Sequence, residues 1–380
     1  MYKLGVIGYG GRIRDMLKEF LRTGKVAVTA VCDKDPAYAR KNADENGVGE
    51  YAFYENAEDM LKNEKLDGVL IGTRCSLHTE YACLVAKYGI PMFLEKPVAT
   101  TRADEERLKG ILYHSDKTVV SFPLRVTDIV LRVKEIIASG RIGKVAQVQA
   151  VNNVPYGRVY YHGWYRDESE TGGLFLQKST HDFDYINSML DARPVYLSAM
   201  ASKQVFCGDM PEGQMCADCP RQDECPESPD ALRKLGIDPT GYGCCFARDT
   251  GNHDSGSALV TYDTGIHVVY TQNFVARNKA AKRGARFIGY DGTVEFDFPT
   301  AQITVYEHHT GKVERIDMSG DFGQHFGGDR RLAEAFLRVL KGERSPSTLA
   351  EGIQSVSMCL AARESAETGR FVPVDFRIEK

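Results

Sequence analysis

No apolar run in this sequence approaches the roughly 20 residues that a bilayer-spanning helix needs. The first residues enter a strand-like segment directly, with neither a signal-peptide core nor a cleavage site. The cytoplasm is therefore the expected location, and no membrane partner is expected. Charge of one sign is equally scarce: 48 Lys and Arg stand against 52 Asp and Glu, a net −4, which gives no electrostatic basis for binding nucleic acid. Internal repeats and low-complexity segments are missing. Tryptophan is nearly absent too, with Trp164 alone in a loop crowded with tyrosines.

What is present is ordinary globular composition, 43% hydrophobic and 26% charged, in a chain too long for one core. Two domains are expected, residues 1–123 and 124–380. The first reads as an α/β Rossmann domain, a doubly wound parallel sheet. Lys3 to Gly8 is a compact apolar strand, and Gly8-Tyr9-Gly10-Gly11-Arg12-Ile13 follows as a glycine turn before helical spacing at Met16, Leu17, Phe20 and Leu21. Such a turn lets a pyrophosphate approach backbone N–H groups at a helix N-terminus. Ile13 occupies the third glycine position of the fingerprint, so close helix packing must be achieved differently.

The next strand, Val26 to Cys32, ends in Asp33, at the offset where an acid receives an adenosine ribose. Asp33 favours NAD over NADP by repelling a 2′-phosphate, although neighbouring Lys34 would attract one. Strand and helix patterns continue to alternate through Gly68–Gly72, Pro91–Leu94 and Thr118–Phe122. Thr73, Arg74, Glu95 and Lys96 then fall at the carboxyl ends of strands, where these sheets bind ligands. Pro97 disfavours helical geometry at Lys96 and directs that side chain off the strand end.

Taken together, Gly8-Tyr9-Gly10, Thr73 to His78, Glu95-Lys96-Pro97, Ser139 to Val145, and Gly172-Gly173 followed by His181 and Asp184 resemble the Gfo/Idh/MocA family of nicotinamide-dependent sugar and inositol oxidoreductases. The resemblance implies that Lys96 lies beside the nicotinamide and substrate hydroxyl, with His181 as acid or base, and it places His78 near the cofactor or at a helix cap. Two positions depart from the family: Thr73-Arg74 replaces the usual Pro-Asn, and Gln177 replaces an acid. A neutral Gln177 can hold a hydroxyl but takes no proton, which leaves base work to His181 or Lys96. The run Leu176 to Asp184 is similar to a subgroup acting on glycosides.

Beyond Arg125–Ala138, read as a crossing helix, the second domain is expected to be α+β with a large open, mainly antiparallel sheet. Its strands are read at Lys144–Val151, Ser257–Tyr262, Gly265–Gln272, Ala285–Tyr290, Thr293–Phe298 and Gln302–Glu307. The loop from Tyr156 to Arg166 suits a sugar, because aromatic rings stack on apolar C–H faces while polar groups bridge hydroxyls. The substrate residues read here are Tyr156, Trp164, Arg166, Gln177 and Lys178, and the charge of Lys178 would lower the pKa of His181. Helices within 329–367 are expected to pack back on the first domain. In the family the open sheet makes oligomer contacts, which implies a homodimer or homotetramer.

An insertion at about 207–250 holds Cys216, Cys219 and Cys225, with Cys244-Cys245 further on. The spacing and polar surroundings favour a structural zinc; free thiols, a disulfide and an iron–sulfur cluster stay open. Resemblance to the subgroup selects Cys245 over Cys244 as the fourth ligand.

The expected function is an NAD-dependent oxidoreductase moving hydride between nicotinamide and a hydroxyl-bearing carbon of a sugar, glycoside or cyclitol, with C3 of a glycoside preferred. Two other classes share the fold. One is an NAD-dependent glycosidase cycling through oxidation, elimination and reduction; the other is a non-catalytic dinucleotide sensor, which would need neither Lys96 nor His181.

Overall fold

A computed structural model describes residues 1–237, 239, 241–320 and 324–378. Six short strands, β1 (Tyr2–Ile7), β2 (Val26–Cys32), β3 (Ala52–Tyr54), β4 (Gly68–Ile71), β5 (Met92–Leu94) and β6 (Thr118–Val120), form a parallel sheet in the order β3-β2-β1-β4-β5-β6. They are nearly continuous in apolar residues, as strands covered on both faces must be. The order reverses beside β1, so the carboxyl ends of β1 and β4 open a crevice at the switch point.

Local chemistry sets the helices between them. Asp35, Asn56 and Thr101 each cap a helix by accepting a backbone N–H. The first helix, α1 (Gly11–Arg22), has no such cap: Gly10 precedes it with no side-chain hydrogen bond, which leaves first-turn N–H groups free for an outside acceptor.

The second sheet has nine strands. With β7 (Val145–Asn153), β8 (Pro194–Ser202), β9 (Ser255–Tyr262), β10 (His267–Asn273), β11 (Lys282–Gly289), β12 (Gly292–Asp297), β13 (Gln302–Glu307), β14 (Val313–Asp317) and β15 (Val372–Pro373), its order is β14-β13-β12-β11-β7-β10-β9-β8-β15. It is mixed, since β7 and β10 run parallel at its centre. Two strands escape sequence reading. In β8 a register shift between Pro194 and Tyr196 interrupts the alternation, and β14 is a short, charged edge whose Val-Glu-Arg-Ile-Asp pattern reads equally as loop. The crossing helix begins at Asp128, after a tight turn over Pro123–Val126.

The C-terminal helices Gly328–Val339 and Leu349–Thr368 return to the first sheet. Phe336 meets Phe20 of α1 and Phe93 of β5 edge-on, at 5.7 and 6.2 Å between ring centroids. Burying one such ring contributes about 2–3 kcal/mol. The longer helix opens with a capping box, Thr348 with Glu351. It packs on β8 and on the helix Thr180–Met189, and so ties the two sheets together. No helix among the described residues is long and apolar enough to cross a membrane.

Candidate active site

The glycine turn shows how the incomplete fingerprint is accommodated. Gly8 has φ +78°, and a Cβ there would lie 2.7 Å from the backbone of Thr73, so only glycine fits. Room for Ile13 comes from Gly72 at the end of β4, where an added Cβ would meet Ile13 at 1.9 Å. Gly11 faces open space. Asp33 accepts the N–H of Tyr9 at 2.7 Å and that of Asp35 at 2.9 Å, which closes the turn against β2. Lys34 beside it is exposed. The Tyr9 ring is fully buried, with its hydroxyl on Asn46.

A close backbone approach at Gly8, an open Gly11 and free first-turn N–H groups fit a dinucleotide pyrophosphate. Arg12, in contrast, is fully engaged. It forks onto Asp329 at 2.7 and 2.8 Å and meets Glu95 at 3.1 Å, pairing the start of α1 with a C-terminal helix rather than presenting a free charge. Burial of both ring nitrogens likewise makes His78 a clasp. Its Nδ1 faces the carbonyl of Pro97 at 2.8 Å, and its Nε2 faces that of Thr73 at 3.2 Å.

Lys96 stands two residues beyond β5 and is followed by a cis peptide to Pro97. Its ammonium donates to the backbone carbonyl of Gln177 at 2.9 Å. That carbonyl belongs to a π-helical turn, Phe175–Ser179, directly before the helix bearing His181, and such turns release carbonyls from the regular ladder. Burial, and then the charge of Lys178, lower the pKa of Lys96 to about 8. His181 is held well below its ordinary value, first by burial and then by Lys96, Arg283, His325 and Lys178. Its ring stands edge-on to Phe122, 5.8 Å away, and its Nδ1 is buried without a partner. The site thus joins a neutral imidazole to an ammonium of weakened proton affinity, carried by different sheets.

Behind His181 lies a group that sequence reading missed. Asn152, Gln272 and Arg283 share one rung across β7, β10 and β11. Asp182 accepts from Arg283 at 2.8 Å, Asn152 at 2.7 Å and Tyr270 at 2.8 Å. Asp184 faces Arg125 at 3.0 Å, and burial raises it to about 8. Only cross-strand register brings Asn152, Tyr270 and Arg283 to Asp182, so no local motif announces them.

The substrate residues read from sequence divide. Lys178 is buried and donates to the Tyr156 hydroxyl at 2.5 Å, with Tyr160 also beneath its charge. Trp164 stacks on Tyr165 and carries the Arg74 guanidinium 3.8 Å above its ring, forming an aromatic wall. Gln177 turns its amide away, onto the carbonyl of Thr171 and the sulfur of Cys75. Arg166 reaches Asp249 and Thr250, so it anchors the cysteine-rich segment instead of lining the cleft.

Cys216, Cys219, Cys225 and Cys245 line one small cavity with Cys244, but the structural zinc expected of them is not shown. Among the described residues no group of three or more His, Cys, Asp or Glu side chains is placed to hold a metal ion. Cys245 packs into an apolar cluster with Tyr160, Phe206 and Phe274, whereas Cys244 joins Met210 and Ala247. All ten cysteines are free.

Comparison with known proteins places this geometry. Residues 2–122 match the model for the oxidoreductase family with an NAD-binding Rossmann fold, and residues 130–295 match the GFO/IDH/MocA C-terminal domain. YteT of Bacillus subtilis (strain 168), whose oxidoreductase assignment is provisional, is 28% identical over 351 residues, spanning 81% of either chain. The scyllo-inositol 2-dehydrogenase (NAD(+)) of the same organism is 26% identical over 204 residues, 50% of this chain and 54% of that one. Levoglucosan dehydrogenase, solved with NADH and levoglucosan, superposes with a TM-score of 0.77 at 16% identity, covering 98% of this chain and 99% of its own. The chain belongs to the GFO/IDH/MocA family of oxidoreductases.

Proposed function

We propose that the protein oxidises a ring hydroxyl of a sugar, glycoside or cyclitol with NAD, through His181 and Lys96. The observation that carries this reading is the meeting of an unpartnered, neutral imidazole nitrogen with the Lys96 ammonium next to the crevice. When bound, NAD would supply the hydride acceptor. His181 takes the hydroxyl proton, because burial and the charges of Lys96, Arg283 and Lys178 keep its ring unprotonated and ready. Lys96 donates to the same oxygen and stabilises the negative charge that develops as the proton leaves. Arg283 and Asp182 hold the helix that presents His181.

Asp33 supports NAD over NADP, since a 2′-phosphate brought to it would meet a fixed carboxylate. The similarity of Leu176–Asp184 to the glycoside subgroup supports C3 of a glycoside as the position oxidised. The sugar and cyclitol dehydrogenases among the similar proteins support a polyol substrate. The outer face of the second sheet, where Tyr196, Met200 and Leu259 are exposed, supports a homodimer or homotetramer through that sheet.

The test is incubation with NAD and a panel of free sugars, glycosides and cyclitols. Formation of reduced cofactor with at least one of them is expected; none with any would overturn the reading.

A further inference from the structure

A count of charge in the cleft leaves an imbalance. Two ammonium groups, the buried Lys178 and the half-buried Lys96, enter it, and neither has an Asp or Glu within ion-pairing distance among the described residues. Both acids nearby are already committed. Glu95 faces Arg12 at 3.1 Å, and Asp182 accepts from Arg283, Asn152 and Tyr270. Gln177 brings no charge at its position, and its amide is turned elsewhere.

Arg283 has a further unmet need. Its Nε is on Asp182, while one terminal nitrogen is buried without a hydrogen-bond partner. The Tyr156 hydroxyl holds the Lys178 ammonium at 2.5 Å, and the charges of both Lys178 and Arg283 reach that hydroxyl and lower its pKa against the effect of burial. Tyr156 itself is 51% exposed, and its hydroxyl is the one hydrogen-bond partner of the Lys178 ammonium among the described residues. Buried charges persist when paired, and a cleft with excess positive charge selects a ligand that supplies the missing anion.

We propose that the substrate is a carboxylated polyol, a sugar acid or carboxylated cyclitol, whose carboxylate lies between Lys178 and Arg283 while its reacting hydroxyl faces His181 and Lys96. A carboxylate offers two oxygens to this pair of cations, and the Tyr156 hydroxyl would donate to one of them. The inference rests on the dehydrogenase reading for its chemistry but stands on the charge pattern for its binding.

The experiment compares a hexuronate with its own uronamide, which matches it in shape and lacks the charge. Steady-state rates with NAD are expected to favour the uronate by roughly tenfold or more in kcat/KM. In Lys178→Met that ratio falls towards one, and in Lys178→Arg it is largely restored. Equal use of uronate and uronamide by the wild type, or an undiminished ratio in Lys178→Met, overturns the proposal while leaving the dehydrogenase intact.

Calorimetry on the NADH-loaded protein supplies a readout without turnover. Uronate binding that weakens with salt, outcompetes the uronamide and is lost in Lys178→Met supports the anion site even if no compound is oxidised. In that case it is the dehydrogenase reading that fails. No preference for the uronate in binding overturns the inference. Bound cofactor fluorescence in each variant confirms that the first domain is folded.

Discussion

Lys96 titrates near 8 because burial and the Lys178 charge both disfavour its ammonium. The catalytic role given to it requires that ammonium, so kcat should fall as pH rises through about 8, and His181 should add no limb in the range where histidine ordinarily titrates. Removing the Lys178 charge removes one of the causes that lower Lys96, so the limb in Lys178→Met should move to higher pH. A limb that stays in place would dissociate the two lysines. Lys96→Met should retain NAD affinity, measured by calorimetry, and lose turnover by about a hundredfold or more. At this scale Lys96 and His181 were legible because each stands in a short motif next to a strand or helix end. Arg283, Asn152 and Tyr270 were not, because they lie far along the chain and meet Asp182 only through strand register. Arg166 was misassigned for a related reason: it shares a loop with Trp164, but its side chain leaves towards Asp249.

Elements succeed or fail here through close contacts. Gly72 and Ile13 form one packing unit between β4 and α1, which explains how the turn dispenses with its third glycine. Gly72→Ala should destabilise the protein by about 1–3 kcal/mol in chemical denaturation, as overpacking does. Combining it with Ile13→Ala should cost less than the sum of the two single changes. In the second sheet, Arg283→Met leaves the Asp182 carboxylate buried without its cation and should cost about 3 kcal/mol. Restoration of stability by pairing it with Asp182→Leu would show that the two act together. The alternating pattern of the first six strands made that sheet readable in the sequence. The parallel neighbours β7 and β10, separated by more than a hundred residues, leave no local trace, and charged β14 resembles a loop until its partner β13 is known.

Across the whole molecule, the site exists only because two sheets and the long C-terminal helix converge. One sheet carries Lys96 at a strand end; the other supports the helix with His181. Tyr196, Met200 and Leu259 are 49%, 78% and 47% exposed on one face of the second sheet, the apolar patch on which the proposed oligomer rests. Light scattering should show a homodimer or homotetramer in the wild type and a shift to smaller species in a Met200→Lys, Leu259→Lys double variant. The C-terminal helices return to the first sheet, where Phe336 meets Phe20 and Phe93. The cysteine spacing brings Cys216, Cys219, Cys225, Cys244 and Cys245 to the lining of one small cavity, but among the described residues no group is placed to hold a metal ion.

The central claim is that His181 accepts the hydroxyl proton as hydride leaves the same carbon. It is tested most directly by single-turnover formation of reduced cofactor, with NAD already bound, in the wild type and in His181→Asn. The burst should slow by roughly a hundredfold or more in the variant while NAD affinity is unchanged. A burst at the wild-type rate in His181→Asn would contradict it.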